Sequence, residues 1–188
     1  MPSMTSSRAS DRPAADAPND GSFRAVFDRE FDYVWTSLRR LGVRDSDLED
    51  VAQDVFVRVH RQFHDYDRSR PIRPWLFAFA ARCAAEWRRQ TRHRVEVLGS
   101  GAEATASTPA ADVALATAED VDLVLRALQC VDEERRGVFI LFEFDECPMK
   151  EIARSLGLPL FTGYSRLRLA RKEFVAAVRR LRRVRGEP

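Results

Sequence analysis

Phe23, Phe27, Phe31, Val34, Leu38 and Leu41 recur at spacings of three and four, which lines them along one stripe of a helix that must pack against something. Gly42 follows as the stop, because glycine reaches the left-handed conformation that ends many helices. Ser46 and Glu49 stand in the Ser-x-x-Glu order of a capping box, so a second helix is predicted to begin there. Leu48, Val51, Ala52, Val55, Phe56, Val59 and Phe63 repeat the buried stripe, while the outward face is acidic early (Asp47, Glu49, Asp50, Gln53, Asp54) and basic later (Arg58, Arg61). Acids first and bases last also suit the helix dipole. Pro71 and Pro74 then interrupt the chain, and Pro74 fits the first turn of a third helix through Trp75, Leu76, Phe79, Ala80, Cys83 and Trp87. Three such helices can share a core, so residues 22–97 read as one small all-α domain.

Residues 98–118 are rich in Gly, Ala, Ser and Thr and hold too little large apolar surface to offset the entropy of ordering them. They read as a flexible linker to a second small helical domain at 119–188. That domain opens with Val121, Val124, Leu125 and Leu128, and Asp132 caps a helix carrying Val138, Phe139, Leu141 and Phe142. Pro148 starts a short helix with Ile152, Ala153 and Leu156, Gly157 turns the chain, and Pro159 precedes a long basic helix with Leu167, Ala170, Phe174, Val178 and Leu181. A short helix, a glycine turn and a longer basic helix form a helix-turn-helix signature. No strand alternation or repeat is visible, so the fold class is all-α.

The chain has 188 residues, 45% hydrophobic and 32% charged, with 31 basic against 29 acidic side chains for a net charge of +2. The near-neutral sum hides two basic clusters, and all the basic residues but Lys150 and Lys172 are arginine. Arginine suits phosphate geometry, although a genome rich in guanine and cytosine yields the same bias, so position carries the argument rather than residue type. Cys83, Cys130 and Cys147 form no close pair, which points to a reducing cytoplasm rather than a secreted scaffold. Residues 1–21 lack the apolar core of a signal peptide and read as a disordered leader. No apolar run approaches the ~20 residues that cross a bilayer, so no membrane insertion is expected.

In DNA-binding helix-turn-helix proteins the second helix enters the major groove, where arginine can engage guanine and Ser or Thr a base or phosphate. Thr162, Tyr164, Ser165, Arg166, Arg168 and Arg171 decorate that helix here; the plain alternative is a helical hairpin with solvated arginines. The basic group Arg82, Arg88, Arg89, Arg92, His93 and Arg94 lies close to the aromatic residues Trp75, Phe77, Phe79 and Trp87, on which unpaired bases could stack. Spacing favours the core for Phe79 and leaves Trp87 open. The acidic face of the second helix is a solvated surface by default, or a docking site for a basic partner. His60 and His64 lie four apart, but no Glu stands between them in the zinc-protease pattern, so no metal or other cofactor is expected. No catalytic triad or phosphate-cradling glycine loop is visible either, and the chain is not expected to be an enzyme.

Taken in order, these segments resemble an extracytoplasmic-function sigma factor, the two-domain group of the sigma-70 family. Residues 47–56, Asp-Leu-Glu-Asp-Val-Ala-Gln-Asp-Val-Phe, resemble that family's polymerase-docking segment. Arg73-Pro74-Trp75-Leu76 with Glu86-Trp87-Arg88-Arg89 resembles its promoter-melting segment, and Glu151-Ile152-Ala153, Leu156-Gly157-Leu158-Pro159 and Ser165-Arg166-Leu167 with Ala170-Arg171 resemble its helix-turn-helix. The resemblance implies a protein that binds core RNA polymerase and directs promoter recognition, DNA melting and transcription initiation. Asp47, Glu49, Asp50, Gln53 and Asp54 would dock on the β′ coiled coil, and the second domain would sit on the β flap. Trp75, Arg82, Trp87, Arg88, Arg89 and Arg92 would capture the single-stranded minus-ten element, and Thr162, Tyr164, Ser165, Arg166, Arg168 and Arg171 would read the minus-thirty-five duplex. An anti-sigma partner is expected on the same ground.

The chain departs from the family where its recognition helix reads Phe161-Thr162-Gly163-Tyr164-Ser165-Arg166 in place of the usual Gly-Thr-Val-Lys-Ser-Arg. A glycine inside a helix costs about 1 kcal/mol against alanine and leaves out the packing contact of the usual valine. Phe161 fills that space or stands exposed. Two rivals remain at this point: a helix-turn-helix regulator that acts without polymerase, and a sigma-like interaction protein that has lost DNA binding. On the sigma-factor reading, the charge distribution predicts DNA binding that is weak without polymerase and weakens further as salt rises.

Overall fold

Ser22 opens α1 (Phe23–Leu41), its hydroxyl accepting a hydrogen bond from the Ala25 backbone N–H at 3.2 Å. Gly42 closes the helix at φ 92°, and the Val43 N–H donates back to the Leu38 carbonyl at 3.1 Å. The computed structural model describes residues 22–98 and 112–185, and all its α-helices and 3₁₀ turns lie there; the expected leader and residues 99–111 of the expected linker lie outside the described residues.

The capping box at Ser46 does not form. Residues Asp45–Asp47 wind into a 3₁₀ turn instead, held by the Asp47 N–H to the Arg44 carbonyl and by the Arg44 guanidinium on the Asp47 carboxylate, each at 2.9 Å. Helix α2 (Leu48–Gln62) therefore starts without a side-chain cap. Helix α3 (Ile72–Leu98) carries Pro74 in its first turn, where the missing N–H would have had no intrahelical partner.

Helix α4 (Asp112–Gln129) begins before the predicted boundary, so residues 112–118, read as linker, are helical. Alanine is the reason: it weakens the case for a buried core but is the strongest helix former. Asp132 caps α5 (Glu133–Glu143), accepting from the Glu134 N–H at 3.0 Å. Pro148 precedes α6 (Met149–Ser155), Gly157 turns at φ 66°, and α7 (Leu160–Arg185) follows.

The two sets of helices are those the periodicity predicts, but they share one core. Val34, Leu38, Val55, Val59, Leu76 and Phe77 of the first set are continuous with Leu128, Val138, Ile140, Leu141, Ile152 and Leu167 of the second. The cause lies in α3, where Leu76, Phe77, Phe79, Ala80, Cys83 and Ala84 are all buried and so demand cover on more than one side. Phe77, read as a possible stacking surface, is fully enclosed there. It faces Gly137 of α5, where a Cβ would sit 3.4 Å from its ring.

Candidate functional site

Helix α2 buries Leu48, Val51, Ala52, Val55, Phe56 and Val59, so helical geometry turns Glu49, Asp50, Gln53 and Asp54 outward, and all four are exposed. Asp47 is half-buried beside Arg44. Three exposed carboxylates within two turns make a negative surface suited to a basic partner. The later part of the helix is neutralised from within, because Arg58 donates to both oxygens of Glu86 on α3, at 2.9 and 2.5 Å. Those hydrogen bonds, chiefly, hold the Glu86 carboxyl below its ordinary value.

On α3, Phe79 is core, as its spacing predicts. Trp75 is half-buried in an aromatic cluster, its ring centroid 4.9 Å from those of both Tyr66 and Phe79. Trp87 is half-buried beneath the Arg44 guanidinium, 5.4 Å from its centroid. Arg82, Arg89 and Arg92 are exposed, Arg82 lying over the Phe79 ring at 4.6 Å. Arg88 differs: it donates to the Leu41 carbonyl at 2.5 Å and to Glu133 of α5 at 2.6 Å, so in this conformation it joins the two halves.

The turn between α6 and α7 is held by the Leu158 N–H donating to the Ala153 carbonyl at 2.7 Å. Gly163 of α7 departs from the expected valine for a steric reason: a Cβ there would lie 2.6 Å from the thioether sulfur of Met149, which is itself buried. Met149 therefore occupies the space a valine would take, and Phe161 does not fill it, being 84% exposed. Tyr164, Arg168 and Arg171 are also exposed, while Thr162 and Ser165 are half-buried. Arg166 pairs with Glu134 at 2.6 Å and Arg171 with Glu143 at 2.6 Å, and with the Arg135–Glu173 pair these tie α7 to α5.

A polar joint between the halves has no counterpart in the sequence reading. Arg136, only 7% exposed, donates to the Leu41 carbonyl at 3.0 Å, the Val131 carbonyl at 3.0 Å and the Gln129 side-chain oxygen at 2.6 Å. The Leu41 carbonyl ends α1, where unpaired carbonyls and the helix dipole gather negative charge, and it receives both Arg136 and Arg88. Burial, with repulsion from Arg88, brings the Arg136 pKa down to about 10, so it stays charged at neutral pH. Gly42 lets Gln129 approach: a Cβ there would meet the Gln129 oxygen at 2.1 Å. Nearby, the Tyr33 hydroxyl donates to Asp145 at 2.8 Å and Arg40 pairs with the same carboxylate at 3.1 Å. Burial pushes the Asp145 carboxyl up despite those partners. Arg70 reaches Glu151 at 2.9 Å.

His60 and His64 serve other contacts, His60 edge-on to the Phe23 ring at 4.7 Å and His64 beside Asp65 at 3.2 Å. Among the described residues no group of three metal-ligating side chains gathers, and no described helix is long and apolar enough to cross a membrane.

Two family models match in sequence order: sigma-70 region 2 over residues 26–94 and sigma-70 region 4 over residues 122–174. An extracytoplasmic-function RNA polymerase sigma factor, RpoE of Cereibacter sphaeroides, is 30% identical over 161 residues, covering 85% of this chain and 87% of that protein. The RNA polymerase sigma factor NccH of Alcaligenes xylosoxydans xylosoxydans is 27% identical over 144 residues, 74% of this chain and 77% of its own. The fold matches the sigma factor RpoE from Bartonella quintana, solved with the anti-sigma factor NepR, at a TM-score of 0.65 and 20% identity over 84% of this chain and 96% of that one. It also matches CnrH, solved with the cytosolic domain of CnrY, at 0.56 and 24% identity over 82% and 85%.

Proposed function

The chain belongs to the extracytoplasmic-function group of the sigma-70 family, and from that premise we propose that it binds core RNA polymerase and directs it to promoters, with no catalytic chemistry of its own. The observation that carries this reading is the pairing, in one chain, of an exposed acidic α2 with a basic helix-turn-helix formed by α6 and α7. Residues 22–97 act as the polymerase-docking and minus-ten unit, 119–188 as the minus-thirty-five unit, and 98–118 as their connection. Asp47, Glu49, Asp50, Gln53 and Asp54 meet the β′ coiled coil, and the second unit meets the β flap. Trp75, Arg82, Trp87, Arg89 and Arg92 face the opened minus-ten strand, where stacking and backbone contacts offset the few kcal/mol that extruding a base costs. Arg88 joins them once it leaves Glu133. Thr162, Tyr164, Ser165, Arg166, Arg168 and Arg171 belong to the duplex-reading helix.

The two sigma factors of similar fold were solved with anti-sigma proteins, which supports an anti-sigma partner here, and cytoplasmic residence follows from the role. A regulator working without polymerase would leave the acidic α2 face without a use. The interaction-protein reading rested on Gly163, and the fit of Met149 against it removes that ground.

Reversing charge with Asp50→Lys and Asp54→Lys tests the proposal. Pull-down of core polymerase should fall at least tenfold while the circular dichroism of the chain stays unchanged. Retention of full core binding and promoter-specific transcription by the folded variant sinks the docking assignment.

A further inference from the structure

Phe161 is the most exposed large hydrophobic residue among those described, at 84%, and it stands in the first turn of α7 beside Leu160 at 49% and Tyr164 at 55%. No aromatic or cation-π contact holds its ring among the described residues. Gly163, two residues on and so on the opposite face of the helix, is turned inward against Met149, and Phe161 contributes nothing to the packing of α6 on α7. Leaving such a side chain in water forgoes stabilisation that burial would supply. Along α7, Phe161, Tyr164, Arg168 and Lys172 follow at spacings of three, four and four, and all are exposed, so they form one outward row. Lys150 of α6 is exposed as well, while Arg154 of α6 and Arg171 of α7 are exposed but paired with Glu151 and Glu143.

We propose that Phe161 is a specificity-determining residue that reads a thymine methyl group in the minus-thirty-five duplex, with Tyr164 on the adjoining base pair and Arg168 on a guanine beyond it. The inference rests on α7 being the duplex-reading helix. An exposed row that opens with an apolar tip and ends in Arg168 and Lys172 matches a major groove whose floor carries methyl groups and whose walls carry phosphates. Thymine alone among the four bases presents a methyl there; the other edges offer donors and acceptors that a phenyl ring would desolvate without repaying. The reach agrees, since seven residues of helix advance about 10 Å and three base-pair steps cover the same distance. Tyr164 adds one hydroxyl for a hydrogen bond, and Arg168 the two-pronged donor that fits guanine O6 and N7. An aliphatic partner helix fits less well, because lying along the same row it would press apolar surface against Arg168 and Lys172.

The test uses the full chain, with and without core polymerase, selecting from a duplex library randomised across the minus-thirty-five element. The wild type should enrich thymine at one or two adjacent positions. Phe161→Ala should lose that preference and keep the others, Phe161→Leu should retain it, and Phe161→Gln should shift it toward adenine. Replacing the selected thymine with deoxyuridine, which removes only the methyl, should weaken wild-type binding about fourfold, the worth of one buried methyl at ~0.8 kcal/mol. The same replacement should leave Phe161→Ala unaffected. Equal binding to thymine and deoxyuridine, no thymine enrichment, or a Phe161→Ala defect confined to polymerase or protein binding would each overturn the inference. Thymine selection by the chain alone, with no core binding, would keep it and reject the sigma reading.

Discussion

Replacing Gly163 by valine, the residue usual at this place in the family, should destabilise this chain but stabilise one from which the Met149 side chain has been removed. The geometry sets the size. A Cβ at Gly163 would stand 2.6 Å from the Met149 sulfur, about 1 Å inside ordinary contact at roughly 3.5–4.0 Å. Alanine there gains about 1 kcal/mol of helix propensity, and Met149 is flexible enough to retreat, so Gly163→Ala should be near neutral. Valine adds two further carbons and cannot be accommodated by a small shift; overpacking of that kind costs about 1–3 kcal/mol. Met149→Ala alone empties a buried site and should cost about 2–5 kcal/mol. In Gly163→Val/Met149→Ala the new side chain enters the space the old one left, so the double variant should be more stable than Met149→Ala by about 1 kcal/mol or more. Urea unfolding of the four proteins, followed by far-ultraviolet circular dichroism, gives the cycle directly. Additivity within about 0.5 kcal/mol would refute the claim that Met149 stands in for the valine.

Gly42→Ala should cost at least about 1–2 kcal/mol, because φ 92° disfavours any Cβ and this one would displace Gln129, and Gln129→Ala should recover the steric part in the same assay. Arg136→Met leaves the Leu41 and Val131 carbonyls short of a donor and should lower stability by about 2–4 kcal/mol, with small-angle scattering showing the two halves farther apart. Glu30, Glu86 and Glu133 all have carboxyl groups held below the ordinary 4.5. For Glu86 and Glu133 the main cause is an arginine hydrogen bond, and for Glu30 burial opposes but the bonds from Arg29 and Arg73 prevail. Folded values below unfolded ones mean stability present above pH 4.5 and lost as the pH falls further, so the urea midpoint should drop there and Glu133→Gln should flatten the slope. Asp145, raised by burial, has the opposite sign: its contribution falls as pH rises through its folded value, and Asp145→Asn should remove that component from the pH profile.

Local patterns in the chain were enough to locate α1, α2, α3, α5, α6 and α7, because each carries its own apolar stripe and most carry a stop or start residue such as Gly42, Asp132 or Gly157. The acidic face of α2 was legible for the same reason: once six residues of a helix are buried, the positions between them must face water. The errors came where two local preferences competed. Ser46 could cap a helix or sit in a turn, and Arg44 and Asp47 decided for the turn. Residues 112–118 could be spacer or helix, and their alanines decided for helix.

Tertiary structure alone decided how the halves meet and which arginines are free. Arg136 and Leu41 lie 95 positions apart and Tyr33 and Asp145 lie 112 apart, so no periodicity could have paired them. Composition could not show that Arg88 is spent on a helix end while Arg82, Arg89 and Arg92 remain exposed, since a guanidinium looks the same in sequence whether water or a carbonyl surrounds it. Gly163 makes the same point in apolar form. Its sequence neighbours suggest a missing contact, and only the approach of α6 shows the gap filled by Met149, with Phe161 left outward. Sequence determined the helices and their faces because those follow from bonds within a few residues; the site's free surface depends on which distant groups reach it first.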